Sequence, residues 1–135
     1  MIKLSRQVDY AFQLLQALGT AQDHQYVSLK KVSLESTISF LFLQKIAQQL
    51  RAAGLIQAAK GQHGGYLLVK PLRKISLREV VEAIDGPYGL ATCNRPGEVC
   101  AKSHHCTIKK GVRRLQSQVA RILQTMMVSD MVDSA

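Results

Sequence analysis

Between residues 39 and 70 the hydrophobic period changes from that of a helix to that of a strand, and that switch narrows the choice of fold more than any other feature. Phe40, Leu43, Ile46, Ala47 and Leu50 recur at helical spacing. Gln44, Lys45, Gln48 and Arg51 fall on the opposite face, and Gly54 stops the run. The short runs LIQAAK and YLLVK then read as two strands around GQHGG, whose glycines permit the positive dihedrals of a hairpin tip. The pattern predicts a helix over 39–53 followed by a β-hairpin wing.

Upstream, Ser28 is placed to cap a short helix that buries Leu29 and Val32, and the connection STIS joins it to the helix over 39–53. Two helices so joined form a helix-turn-helix, whose second member presents its N-terminal residues to a DNA major groove. Residues 5–22 place Val8, Ala11, Phe12, Leu15 and Leu18 at helical spacing behind Ser5 as cap. After Pro71, Ser76 and Glu79 make a capping box for a helix burying Leu77, Val80, Val81 and Ile84. From Thr107 the chain turns helical again, with Val112, Leu115, Val119, Ile122 and Met126 in one apolar stripe. A stripe of that length at the end of a small domain needs a cover, and the same helix of a second chain supplies one. The expected architecture is mainly α with a small β-hairpin: a winged helix-turn-helix domain at 1–85, a cysteine-rich loop at 86–106, and a long dimerisation helix with a tail at 107–135.

Charge points to the partner. Eighteen Lys and Arg against nine Asp and Glu leave a formal net charge of +9, and such a surface attracts phosphate. On the helix-turn-helix the expected DNA contacts are Ser39 at the helix start, Gln44 to a base, and Lys45 and Arg51 to phosphates. Lys60 and His63 serve from the wing, beside Lys70, Arg73 and Lys74. Leu41 has two readings, contact with a thymine methyl or simple packing. The chain carries 47% apolar residues in 135, enough for one compact core. It has no run of about 18 uncharged apolar residues that would span a bilayer, and Asp9 interrupts the N-terminus where a signal peptide would be apolar. The expectation is a cytoplasmic protein with no membrane association.

All three cysteines lie in LATCNRPGEVCAKSHHC, spaced C-x6-C-x5-C as Cys93, Cys100 and Cys106. An odd number cannot pair fully within one chain, which argues against a disulfide scaffold. Thiolates select zinc, copper(I) or iron–sulfur clusters; the tight pairs usual for zinc are absent, and wide intervals suit a loop wrapped around a larger cluster. Three thiolates leave one position for a weaker fourth ligand, and a site so completed is labile, as a sensor requires. Direct thiol chemistry is the alternative, with Lys102, His104 and His105 as the activating charge. An enzyme using a Cys–His pair lacks any third orienting group at a recognisable spacing, so no enzymatic activity is expected.

Taken in order, IKLSRQVDYAFQLL, TISFLFLQKIAQQLRAAGLI, AAKGQHGGYLLVKP, ISLREVVEAIDGP and the cysteine loop resemble the Rrf-type family of winged-helix regulators, which includes the IscR, NsrR and RirA proteins and the regulators of SUF cluster assembly. The resemblance spans nearly the whole chain. It implies a homodimer that binds a double-stranded DNA operator as repressor or activator, with the three loop cysteines ligating a 2Fe–2S or 4Fe–4S cluster. In nitric-oxide-responsive relatives an early aspartate supplies the fourth ligand from the partner subunit, and Asp9 stands at that place. A first-turn acid stabilised by the helix dipole is its other reading. The histidine ligand of the IscR branch does not carry over, because Lys109 occupies its position.

Overall fold

The computed structural model of the protein describes residues 4–21, 25–59, 65–86 and 108–131. Along the chain these form α1 (Arg6–Gly19), α2 (Leu29–Ser36), α3 (Phe40–Ala52), β1 (Ile56–Ala58), β2 (Tyr66–Leu68), α4 (Leu77–Asp85) and α5 (Lys109–Thr125), with 3-10 turns at Leu72–Lys74 and Val128–Met131. The expected mainly helical winged fold is what forms. No helix among the described residues is long and apolar enough to cross a membrane.

The helix starts obey the sequence closely. Ser5, Ser28, Ser39 and Ser76 each accept, through the side-chain oxygen, the backbone N–H three residues on, all at 3.2 Å. Each such cap contributes about 1 kcal/mol. At α4 the box closes both ways, since the Glu79 carboxylate accepts the Ser76 backbone N–H at 2.8 Å.

α1 is the central helix. It packs against α3, α4 and β2, so its buried arc is wider than one stripe: Leu14 joins Val8, Ala11, Leu15 and Leu18 in the core, while Phe12 is only half-buried. α3 contributes Leu43, Ile46, Ala47 and Leu50, and α4 contributes Leu77, Val80, Val81 and Ile84. Phe40, expected inward with them, lies half-buried against this core.

The antiparallel wing pairs Ile56 with Leu68, Gln57 with Leu67 and Ala58 with Tyr66. Val27, just ahead of α2, extends it by exchanging both backbone hydrogen bonds with Tyr66 at 2.9 Å. Here the reason for Gly65 differs from the expected one. Its backbone is not in the positive-φ region; a Cβ there would sit 2.8 Å from the Val27 carbonyl oxygen, so close approach of the two strands requires glycine. Gly54 does adopt φ +78° and ends α3 as expected.

The C-terminal stripe divides. α5 stops at Thr125, whose hydroxyl donates back to the Arg121 and Ile122 carbonyls, and Met126 turns extended. Met126 therefore leaves the helix face on which it was expected: its carbonyl accepts the Leu77 N–H at 2.9 Å, and it packs on the core with Leu123. Val128 follows, fully buried, its N–H donating to the Ile75 carbonyl at 2.7 Å. Leu115 and Ile122 remain largely exposed on α5.

Two outcomes test this description. Thr37, which ends α2, is a β-branched residue at φ 63°, a left-handed conformation that glycine adopts without cost. Thr37→Gly should raise the unfolding free energy by about 1 kcal/mol, read from urea melts. The second concerns Glu79. Burial alone would push its carboxyl up, but the Lys70 ammonium at 2.6 Å and the Ser76 N–H outweigh it and hold the group below its ordinary value of 4.5. A depressed carboxyl stabilises the fold above its unfolded pKa and loses that contribution as pH falls through the folded one. Glu79→Gln, which keeps a capping side chain, should be less stable at neutral pH and should show a shallower loss of stability below pH about 4.5 than the parent.

Candidate nucleic-acid interface

The turn between α2 and α3 is held by hydroxyls. The Ser33 hydroxyl donates to the Ile38 carbonyl and the Ser36 hydroxyl to the Val32 carbonyl, both at 2.6 Å, and Ile38 is buried beneath. This pins the angle at which α3 leaves α2. With Leu43, Ile46, Ala47 and Leu50 sealed inward, α3 turns Leu41, Gln44, Lys45, Gln48 and Arg51 outward, and all five are exposed. At 100° per residue Leu41, Gln44, Lys45 and Gln48 fall within about 100° of arc. They form one continuous face.

The expected contact residues can be placed individually. Gln44, Lys45 and Arg51 lie on that face. Ser39 caps the helix through its oxygen and keeps its O–H to donate outward. Leu41 is 76% exposed and does not pack into the core of the described residues. Lys60 and His63 lie outside the described residues. Lys70 is drawn into its ion pair with Glu79, while Arg73 and Lys74 are exposed behind the wing.

One neighbourhood was not anticipated from the sequence. A cleft of about 450 Å³ opens between α2, α3 and the wing, lined among others by Ser28 and Lys30, Phe40 and Gln44, Ala59 and Tyr66. It brings Lys30 to the same side as Gln44. A signal for Lys30 existed: Lys30 and Lys31 stand in the first turn of α2, where cations oppose the helix dipole.

Cys93, Cys100 and Cys106, with His104 and His105, lie outside the described residues. In the sequence they fall between α4 and α5. The Ser5 hydroxyl donates to the Asp85 carboxylate at 3.1 Å and so ties the last residue of α4 to the start of α1. Asp9 is one turn further along α1, exposed, its carboxylate accepting from the Gln13 amide at 3.3 Å. Next to it, the Tyr10 ring meets the Phe42 ring of α3 edge-on, with centroids 5.9 Å apart. The first turns of α1 thus touch both the root of the cysteine loop and the start of α3. Among the described residues no three His, Cys, Asp or Glu side chains gather as a metal-binding group.

Comparison with known proteins agrees with this geometry. Residues 4–134 match the family described as Rrf2, iron-dependent transcriptional regulator. The HTH-type transcriptional regulator NsrR of Shouchella clausii is 30% identical over 132 residues, covering 97% of this chain and 89% of that protein. Among solved structures, CymR, the global cysteine regulator of B. subtilis, superposes with TM-score 0.76 at 23% identity, over 97% of this chain and 96% of that one. The oxidized form of Staphylococcus aureus CymR gives TM-score 0.72 at 25% identity, over 98% and 100%. These relatives are regulators, not enzymes.

Charge neutralisation on α3 yields a measurable expectation. Lys45→Ala and Arg51→Ala should each weaken binding to duplex DNA about equally for all sequences, and each should reduce the slope of log affinity against log salt by about 1. Fluorescence anisotropy across a salt series reads both.

Proposed function

This chain belongs to the Rrf2 family of transcriptional regulators, and from that premise we propose that it is a homodimeric, cytoplasmic repressor whose grip on a DNA operator is set by an iron–sulfur cluster held on Cys93, Cys100 and Cys106. The observation that carries this reading is the position of α1's first turns, against the root of the cysteine loop on one side and the recognition helix on the other.

The donor set fits such a group. Three soft thiolates close together in the sequence are the ligands iron–sulfur clusters take, and the match to an iron-dependent family supports iron. Asp9 of the partner subunit is the proposed fourth ligand: it is exposed, and its carboxylate has one described hydrogen bond, from Gln13 across a single helical turn. A bound cluster supplies one-electron redox chemistry and an iron site open to nitric oxide. The chain's own part is mechanical. A pull on Asp9 is felt by Tyr10, whose ring bears on Phe42, and Phe42 stands in the first turn of α3. The Ser5–Asp85 bond carries movement of the loop root into the same turn. α3 is thereby re-aimed relative to its symmetry mate, with the α5 faces of Leu115 and Ile122 joining the two subunits. A coupling of about 1–3 kcal/mol, roughly 5- to 150-fold in operator affinity, is the expected size.

The second reading is a thiol switch without a cluster, supported by the likeness to a CymR solved in an oxidized form. One preparation separates the two. Protein isolated without oxygen should be brown and carry iron and sulfide, and Cys93→Ala should lose both the colour and the dependence of DNA affinity on the cluster. A colourless, iron-free protein whose DNA affinity responds to peroxide, with reversible loss of two protons by mass spectrometry, would establish the thiol switch instead.

A further inference from the structure

The outward face of α3 carries one aliphatic side chain among polar ones. Leu41 is 76% exposed at the second position of the helix, near the middle of an arc otherwise made of Gln44, Lys45 and Gln48. Its immediate neighbours find apolar company: Phe40 packs against the core, and Phe42 meets Tyr10. Leu41 does not pack into that core, and the interior gains nothing from its being leucine.

Resting on the reading of α3 as a recognition helix, we propose that Leu41 is a specificity-determining residue that reads the C5-methyl group of thymine in the major groove, and that Gln44 reads the adjacent base pair. In the groove the isobutyl group meets base edges. Most present nitrogen and oxygen atoms that would lose water against it without a hydrogen bond in return; the thymine methyl is the one apolar group on offer. The helix rise supports the pairing of tasks. Leu41 and Gln44 are three residues apart, about 4.5 Å along the axis, close to the base spacing of about 3.4 Å. A glutamine amide there makes two hydrogen bonds to adenine. Each half-site therefore contains a thymine whose methyl, rather than its hydrogen-bonding edge, is recognised, next to an adenine. It follows that 5-methylcytosine at the thymine position is accepted better than cytosine.

The test uses the full-length protein, isolated without oxygen and also as the iron-free form, to select an operator from random duplex DNA. Thymines of the selected site are then replaced one at a time by uracil, which deletes only the methyl. One thymine in each half-site should show about fourfold weaker binding as uracil, the value of one buried methyl-sized group. Leu41→Ala, a conservative change on an exposed helical position, should bind the thymine and uracil operators equally. At that position cytosine should gain affinity on C5 methylation with the parent protein and not with Leu41→Ala. If an operator is selected but no uracil replacement matters, or the replacement matters equally in Leu41→Ala, the methyl-reading role is wrong while the regulator stands. If neither form of the protein selects any sequence, the reading of α3 as a recognition helix fails, and this inference with it.

Discussion

What α3 shows to the outside is governed by how completely its inner side is sealed. Leu43, Ile46, Ala47 and Leu50 have no exposed surface. Each large member of that set is worth about 1.5–3 kcal/mol against exposure. Turning the helix by a single residue would rotate it by about 100°, carrying Leu43 and Leu50 out of the core and putting Gln44 and Arg51 in their places. The fold does not tolerate a rotation of that size, so the direction in which the five outward positions project is fixed by the core behind them.

The same logic extends to the connection before it. A helix-turn-helix is useful only if the angle between its helices is fixed, and here serine hydroxyls and one buried isoleucine fix it. The left-handed Thr37 is the conformational cost of that sharp turn, retained at a point where the chain must reverse without a glycine. On the other flank, the mutual hydrogen bonds of Val27 and Tyr66 join the approach to α2 to the wing. α2 and the wing are thereby tied at the edge of the cleft that they line with α3.

α1 links that body to everything else. It shares the core with α3 and α4, and its first turns carry Ser5, Asp9 and Tyr10, which meet Asp85 at the end of α4, Gln13 and the Phe42 ring of α3 respectively. A capped fourteen-residue helix packed against both α3 and α4 makes a stiff link between them. The C-terminal segment adds a second tie, since Val128 and Met126 return from α5 to the strand-like approach to α4.

Much of this was legible in the residues themselves. The caps at Ser5, Ser28 and Ser76, the capping box, the end of α3 at Gly54 and the outward polar face of α3 follow from local rules, because caps and amphipathic periods depend on atoms a few positions apart; Ser39, read as the first residue of its helix, stands one place before it as the cap. Three-dimensional packing decided the rest. Leu14 is buried because α1 is covered on more than one side, Met126 quits its stripe because the core offers its carbonyl the Leu77 N–H, and Gly65 is needed because a strand distant in sequence passes within contact. Whether Leu41 packs or projects, and that Lys30 shares a cleft with Gln44, likewise depend on where neighbouring elements lie. Sequence alone determined which faces are apolar and where helices begin; only the tertiary structure could decide which of those faces are covered, since burial is a relation between segments and periodicity is a property of one.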